Sequence, residues 1–253
     1  MGFFCLALFA LAFNEHDTTC NGTANSLKEF GLHGRVKSVS ESSYRAVDSS
    51  GTPVKGEPTD PGIGKKYFTL QFNDAGYLVL EMREGRYQFL YSYDKQWRLL
   101  EEKAVNNHGT VIDRWTYKYG SDCEKLSATV YMKEGTIPER TWSYVYGRTD
   151  STSTAIEYRA DGALSKRMVY HFNKNGQVVK EEWYDDKGMV NTMVNEYDAA
   201  GNKISFCRYM PGGSLNEKKV FAYKFDERGN WVQCITFSNG LPQYFIERTY
   251  VYY

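Results

Sequence analysis

The chain has no surplus of charge of either sign: 31 Lys and Arg balance 31 Asp and Glu over 253 residues. Nucleic-acid binding rests on a concentrated basic surface that releases counterions from phosphates, so that class is excluded. Histidine is scarce as well, with His16, His33, His108 and His171 far apart in sequence. A metal or catalytic centre needs convergent ligands, or a nucleophile with a base and an orienter, and no local spacing supplies either. No cofactor is therefore expected. Long apolar runs are missing, because the longest, Phe3 to Phe13, is shorter than a bilayer-spanning helix. From Lys66 onward no segment repeats apolar residues at helical spacing for long enough to form a helical domain.

The short apolar run has the length of a secretion-signal core, and Ala10-Leu11-Ala12 offers a small-x-small cleavage site. Residues 1–13 are read as a signal peptide and 14–28 as a flexible polar leader, which places the protein outside the cytoplasm. Removal of Cys5 leaves Cys20, Cys123, Cys207 and Cys234. An even count permits disulfides in an exported chain without assigning them. Cys207 and Cys234 lie ten and nine residues past equivalent positions, an offset that turns them to opposite strand faces and predicts free thiols. Residues 29–66 hold an alternating strand, Gly34 to Tyr44, that would cap the first repeat. A long loop, 47–64, follows with Pro53, Pro58 and Pro61.

The remainder, 67–253, is a ladder of aromatics. Phe68-Thr69-Leu70-Gln71-Phe72, Phe89-Leu90-Tyr91-Ser92-Tyr93, Trp115-Thr116-Tyr117-Lys118-Tyr119 and Trp142-Ser143-Tyr144-Val145-Tyr146 open the series. Met168 to Phe172, Met193 to Tyr197 and Phe221 to Phe225 continue it. Alternation of bulky and smaller residues is the period-2 mark of a strand with one buried face. The final residues of the copies fall at 72, 93, 119, 146, 172, 197 and 225, a period near 26. Four positions later a glycine closes a turn at Gly76, Gly176, Gly201 and Gly229, usually after Asn or Asp. A second aromatic and a second glycine follow at half-period. Each unit is thus strand, turn, strand, turn. The expected architecture is all-β: an antiparallel β-meander of about seven 26-residue two-strand repeats forming one curled, open sheet, half-barrel or spiral.

Tyr197-Asp198-Ala199-Ala200-Gly201-Asn202 and Phe225-Asp226-Glu227-Arg228-Gly229-Asn230 resemble the YD repeats of the RHS family, and Phe72 to Gly76 and Phe172 to Gly176 match more loosely. The half-period rhythm of aromatic and glycine is also similar to MORN-type repeats of bacterial exported proteins. The resemblance implies a β architecture and a bacterial envelope or secreted setting. RHS proteins are much longer and commonly carry a C-terminal toxin, whereas this sequence ends in a strand, Arg248 to Tyr253.

Most ladder aromatics are expected to form the core of the sheet. Lys180-Glu181-Glu182 and Glu217-Lys218-Lys219 are expected to keep the opposite face wet. Four rings off the ladder are the candidates for ligand binding: Trp97, where a turn glycine is missing, the adjacent Trp183 and Tyr184, one ring for each face, and Trp231, just after Gly229. The expected role is a non-enzymatic binding or structural surface in the cell envelope, for a glycan or an envelope protein. Two other readings remain: a carbohydrate-active enzyme with carboxylates gathered in a curled cleft, and an RHS-like shell component working with a partner. The recurring Asp74, Asp198 and Asp226 are read as turn formers and not as calcium ligands.

Overall fold

The computed structural model describes residues 25–61, 66–83, 87–147 and 151–253. The expected signal peptide and residues 14–24 of the expected leader lie outside the described residues. Among the described residues, seventeen strands follow one short helix, α1 (Ser26–Glu29). They are β1 (Val36–Ser49), β2 (Thr52–Pro58), β3 (Tyr67–Phe72), β4 (Leu78–Arg83), β5 (Tyr87–Tyr93), β6 (Leu99–Asn106), β7 (Val111–Tyr119), β8 (Lys125–Met132) and β9 (Pro138–Gly147). Then come β10 (Thr152–Arg159), β11 (Leu164–Phe172), β12 (Val178–Asp185), β13 (Gly188–Tyr197), β14 (Lys203–Tyr209), β15 (Leu215–Phe225), β16 (Trp231–Ser238) and β17 (Leu241–Tyr252).

From β3 to β17 each strand pairs antiparallel with the next, as the meander requires. The sheet is not open, however. β1 pairs with β3 through Ser38↔Gln71 to Ser42↔Tyr67, and on its other edge with β17 through Val36↔Tyr252 to Arg45↔Tyr244. The ring closes as a barrel of 16 strands, which corrects the expectation of an open half-barrel or spiral. The physical reason lies in the edges. A twisted meander leaves two rows of bare N–H and C=O groups, and closure removes both at once. The leading strand was expected only to cap the first repeat, but it offers both of its edges over the same residues. Ser40 and Thr69 mark one seam, with their hydroxyls 3.2 Å apart.

The long loop expected at 47–64 contains a strand. β1 outruns β3 and pairs beyond it with β2, where Val47 faces Val54 and Ser49 faces Thr52. Pro53 and Pro58 are tolerated because β2 hydrogen-bonds to β1 alone and stands outside the ring.

The recurrent turns explain the ladder's spacing. Asn73 Oδ1 accepts the Tyr77 N–H at 2.9 Å, Asp198 Oδ1 that of Asn202 at 2.8 Å, and Asp226 Oδ1 those of Arg228 and Asn230. Gly76 stands at φ 85°, a left-handed conformation that glycine adopts without a Cβ clash. Where the glycine is missing, Trp97, Cys123 and Ser151 take φ of 61°, 63° and 51°. A bulge follows the first of these turns, in β4: Phe72 faces Leu78 while Gln71 faces Leu80, so Val79 is extra. Ladder tyrosines then reach across to the neighbouring unit. The hydroxyls of Tyr93, Tyr119, Tyr197, Tyr223 and Tyr250 donate to the carbonyls of Leu78, Leu99, Val178, Lys203 and Trp231 at 2.7–3.0 Å.

Residues 25–34 run across the end of the barrel that carries these turns. Asn25 caps α1, Leu27 N–H donates to the Gly76 carbonyl, and Ser26 Oγ accepts from Leu78 N–H at 3.0 Å. At the far side Asn230, 1% exposed, accepts from His33 N–H at 2.8 Å and donates to the His33 carbonyl at 2.9 Å. Cys207 and Cys234 are free thiols, as their offset predicts, and Cys123 is disulfide-bonded.

Candidate functional site

Cross-strand partners share a face, so register and burial together identify the side chains that point into the barrel. They fall into two sectors. On β1 and β3–β12 the buried apolar residues that point inward pack into two clusters. One contains Val39, Leu70, Phe72, Phe89 and Tyr91. The other contains Trp115, Val130, Trp142, Met168 and Tyr170. The inward residues of β13–β16 belong to neither cluster. Their rings nevertheless line the interior, and they keep part of their surface open.

This aromatic wall is built from the repeat itself. On β15 Glu217, Lys219, Phe221, Tyr223 and Phe225 follow at spacing two and so face the same way. Phe221 and Tyr223 stack at 6.5 Å between centroids with 22° between planes, and Tyr223 lies 5.9 Å from Phe225 and 5.8 Å from Trp231. Phe225 is 43% exposed. The small Cys234 and Thr236 of β16, opposite Tyr223 and Phe221, are buried among the rings. The Cys234 thiol is pushed up to about 12, mainly by that burial. Cations border the rings: the Arg248 guanidinium lies 3.7 Å from the Trp231 centroid, Arg208 5.5 Å from Phe206, and Lys203 6.0 Å from Tyr197. Burial holds the Lys203 ammonium below its ordinary range, against the attraction of Glu181. Flat rings, cations and one carboxylate along a concave surface can stack on a ring-shaped ligand and hydrogen-bond its edge.

A second polar group sits in the packed sector. Glu81 pairs with Arg83 at 2.6 Å and accepts from Tyr91 at 3.4 Å, while Tyr117 donates to Glu102 at 3.2 Å. Lys125 lies over the Tyr117 ring at 4.5 Å and near Tyr144 at 5.6 Å. Burial raises the Glu102 carboxyl to about 7 and lowers the Lys125 ammonium to about 8. Glu81 and Tyr91 are buried, which makes this group part of the packing and not of an open cleft.

The chain shares its fold with a porin-like protein of Bacteroides uniformis. The TM-score is 0.53 at 12% identity, over 85% of this chain and 96% of that one. A porin-like protein of Bacteroides vulgatus aligns at TM-score 0.49 and 12% identity, over 86% of this chain and 99% of that one. A TcdB2-TccC3-Cdc42 structure aligns at 0.35 and 14% identity, over 84% of this chain and 11% of that one. Scores at these last two levels carry no argument about this chain. Neither a protein-family model nor a curated protein matches the sequence.

The four rings picked out in the sequence go to separate places, and Trp231 alone joins the wall. Trp97 lies in the β5–β6 turn and stacks on Tyr77 at 4.6 Å and 6°. Trp183 points inward against the second cluster and donates to Glu181 at 3.3 Å. Tyr184 takes the other face, where the Arg167 guanidinium lies 4.1 Å from its ring centroid. His171 faces outward and meets Glu182 at 3.1 Å. Among the described residues no group of three or more His, Cys, Asp or Glu is placed to hold a metal. Sequence reasoning missed Lys203, Arg208, Glu217 and Lys219. It placed Glu217 to Lys219 on the wet face, yet Glu217 and Lys219 are in phase with Phe221 and Tyr223. Charges at spacing two from ladder aromatics were the signal.

Proposed function

We propose that this chain is an exported, non-enzymatic β-barrel of the bacterial cell envelope that binds a sugar-ring ligand on the aromatic wall of β13–β16. The observation that carries the reading is the half-open state of Phe221, Tyr223, Phe225 and Trp231, rings that neither core cluster uses. Burying such rings against a ligand releases apolar surface from water, and stacking adds geometric preference.

The outer face supports a barrel that stands in water. Lys103 pairs with Glu101 at 2.7 Å, Lys180 with Glu182 at 2.8 Å and Lys55 with Glu247 at 2.6 Å, all pointing outward. Each basic residue set against lipid midplane would cost about 2–4 kcal/mol. Among the described residues no helix is long and apolar enough to cross a membrane. The interior argues against a conducting channel, because Trp142 and Met168 are 2% and 1% exposed inside the barrel. The enzymatic reading is disfavoured because Glu81 and Glu102 lie in the packed sector, away from the open wall.

The test is a screen of immobilised oligosaccharides with the full chain, followed by titration of the hits monitored by tryptophan fluorescence. Tyr223→Ala and Trp231→Ala are expected to lower affinity at least tenfold with the circular dichroism spectrum retained, and Trp97→Ala to leave it unchanged. No binding to any sugar, or binding that survives both wall substitutions, would overturn the proposal.

A further inference from the structure

The wall carries more cationic groups than its own carboxylates neutralise. Glu217 is flanked by two cations, with Arg208 at 3.2 Å and Lys219 at 2.9 Å. Arg248 is paired with Glu41 at 2.8 Å. Lys203 is different, since among the described residues no carboxylate stands within ion-pair distance of its ammonium. Its electrostatic support comes from Glu181, two strands away on β12, and that carboxylate already accepts from Trp183.

Lys203 is also held in place. It opens β14 immediately after the Asp198–Asn202 turn, and it faces Tyr197 across the bulge. Its carbonyl accepts the Tyr223 hydroxyl at 2.8 Å, which fixes the backbone of the lysine to the centre of the aromatic wall. An unpaired ammonium removed from bulk water is costly unless something anionic meets it. The equivalent positions of other repeats carry Leu78, Leu99, Lys125, Val178 and Trp231. Most are apolar, so the turn does not require a lysine, and Lys125 lies in the packed sector over the Tyr117 ring.

Resting on the wall reading above, we infer that the ligand is an acidic saccharide, its rings stacked on Tyr223 and Phe221 and its carboxylate or phosphate held by Lys203. Arg208 and Lys219, which share the single carboxylate of Glu217, extend the same positive edge. The chemistry common to both anions is a charge-assisted hydrogen bond from a poorly hydrated ammonium. A point charge on a flexible stem accepts either one.

Titration calorimetry with the full chain would compare a neutral oligogalactoside, an oligogalacturonate of the same length, and a galactose 6-phosphate oligomer, at low and at raised salt. The acidic oligomers are expected to bind about tenfold or more tighter than the neutral one, with the gap narrowing as salt rises. Lys203→Gln is expected to erase the gap between acidic and neutral oligomers, and Lys203→Arg to restore most of it. The ratio of uronate to phosphate binding identifies which anion the site prefers. Equal binding of neutral and acidic oligomers, or a gap that survives Lys203→Gln, would overturn the inference and leave the wall standing. Failure of all three sugars to bind would bring down the wall reading and the inference together.

Discussion

Glu102 offers a way to read the polarity of the barrel interior from stability alone. Its carboxyl faces inward on β6 opposite Tyr91, accepts from the Tyr117 hydroxyl, and is raised by burial from 4.5 to about 7. Because the folded value lies above the unfolded one, the folded state holds the extra proton between the two. The associated stability is complete below about pH 4.5 and is lost as pH rises through about 7. A shift of that size corresponds to about 3.4 kcal/mol at about 1.36 kcal/mol per unit. Water reaching the half-buried carboxyl reduces the figure to about 2 kcal/mol. Glu102→Gln keeps an oxygen to accept the Tyr117 O–H and cannot ionise. It also withdraws a charge that supports Lys125, but burial and not Glu102 is the larger influence there. Urea unfolding followed by tryptophan fluorescence should therefore find the two proteins about equally stable near pH 4 and the variant about 2 kcal/mol more stable near pH 8. Parallel stability curves would refute the reasoning, since the carboxyl would then be hydrated as in the unfolded chain.

Asn230→Ala should cost about 1–3 kcal/mol by removing the two hydrogen bonds that this buried side chain makes to the His33 backbone, and limited proteolysis should then cut within 25–35 while the barrel persists. Trp97→Ala should destabilise by about 1–2 kcal/mol, through loss of the stack on Tyr77 with the left-handed strain retained. Trp97→Gly should cost less, because glycine relieves φ 61°. Thermal denaturation separates the two. Cys234 should resist a thiol-reactive dye near pH 8 until the protein is unfolded, because burial keeps its thiol protonated. Rapid labelling of the folded chain at Cys234, located by peptide mapping, would contradict its place among the wall rings.

Much of this fold was legible because the repeat writes itself at two levels. Period-2 alternation marked the faces of the strands, and the Asn or Asp to Gly turns marked many of their ends, so an antiparallel meander could be read from the sequence. Closure was not legible. Residues 38–42 alternate like any edge strand, and nothing local in them distinguishes pairing on one side from pairing on both. β2 was hidden by Pro53 and Pro58, which read as loop signals and are harmless on a strand bonded along one edge. The aromatic wall was half visible. Aromatic spacing put Phe221 and Tyr223 in the core and set Trp231 off the ladder, but whether a ring is packed or open depends on what lies across the barrel, which no spacing encodes. Lys203 and Lys219 were lost among surface charges because charge is ordinarily a mark of the solvent face, and inside a barrel that rule fails.

The wall exists as an interior only if the ring is closed, and the seam beside β17 tests this directly. Ser40 faces Thr69 on β3 and Thr249 on β17. Antiparallel partners lie about 4.5–5.5 Å apart at Cα, within the range a disulfide spans. Ser40→Cys with Thr249→Cys, oxidised and mapped by mass spectrometry, should give an intramolecular 40–249 cross-link as efficiently as Ser40→Cys with Thr69→Cys gives 40–69. A 40–69 link without a 40–249 link would mean an open sheet, with the aromatic wall on an exposed face instead of in a lumen.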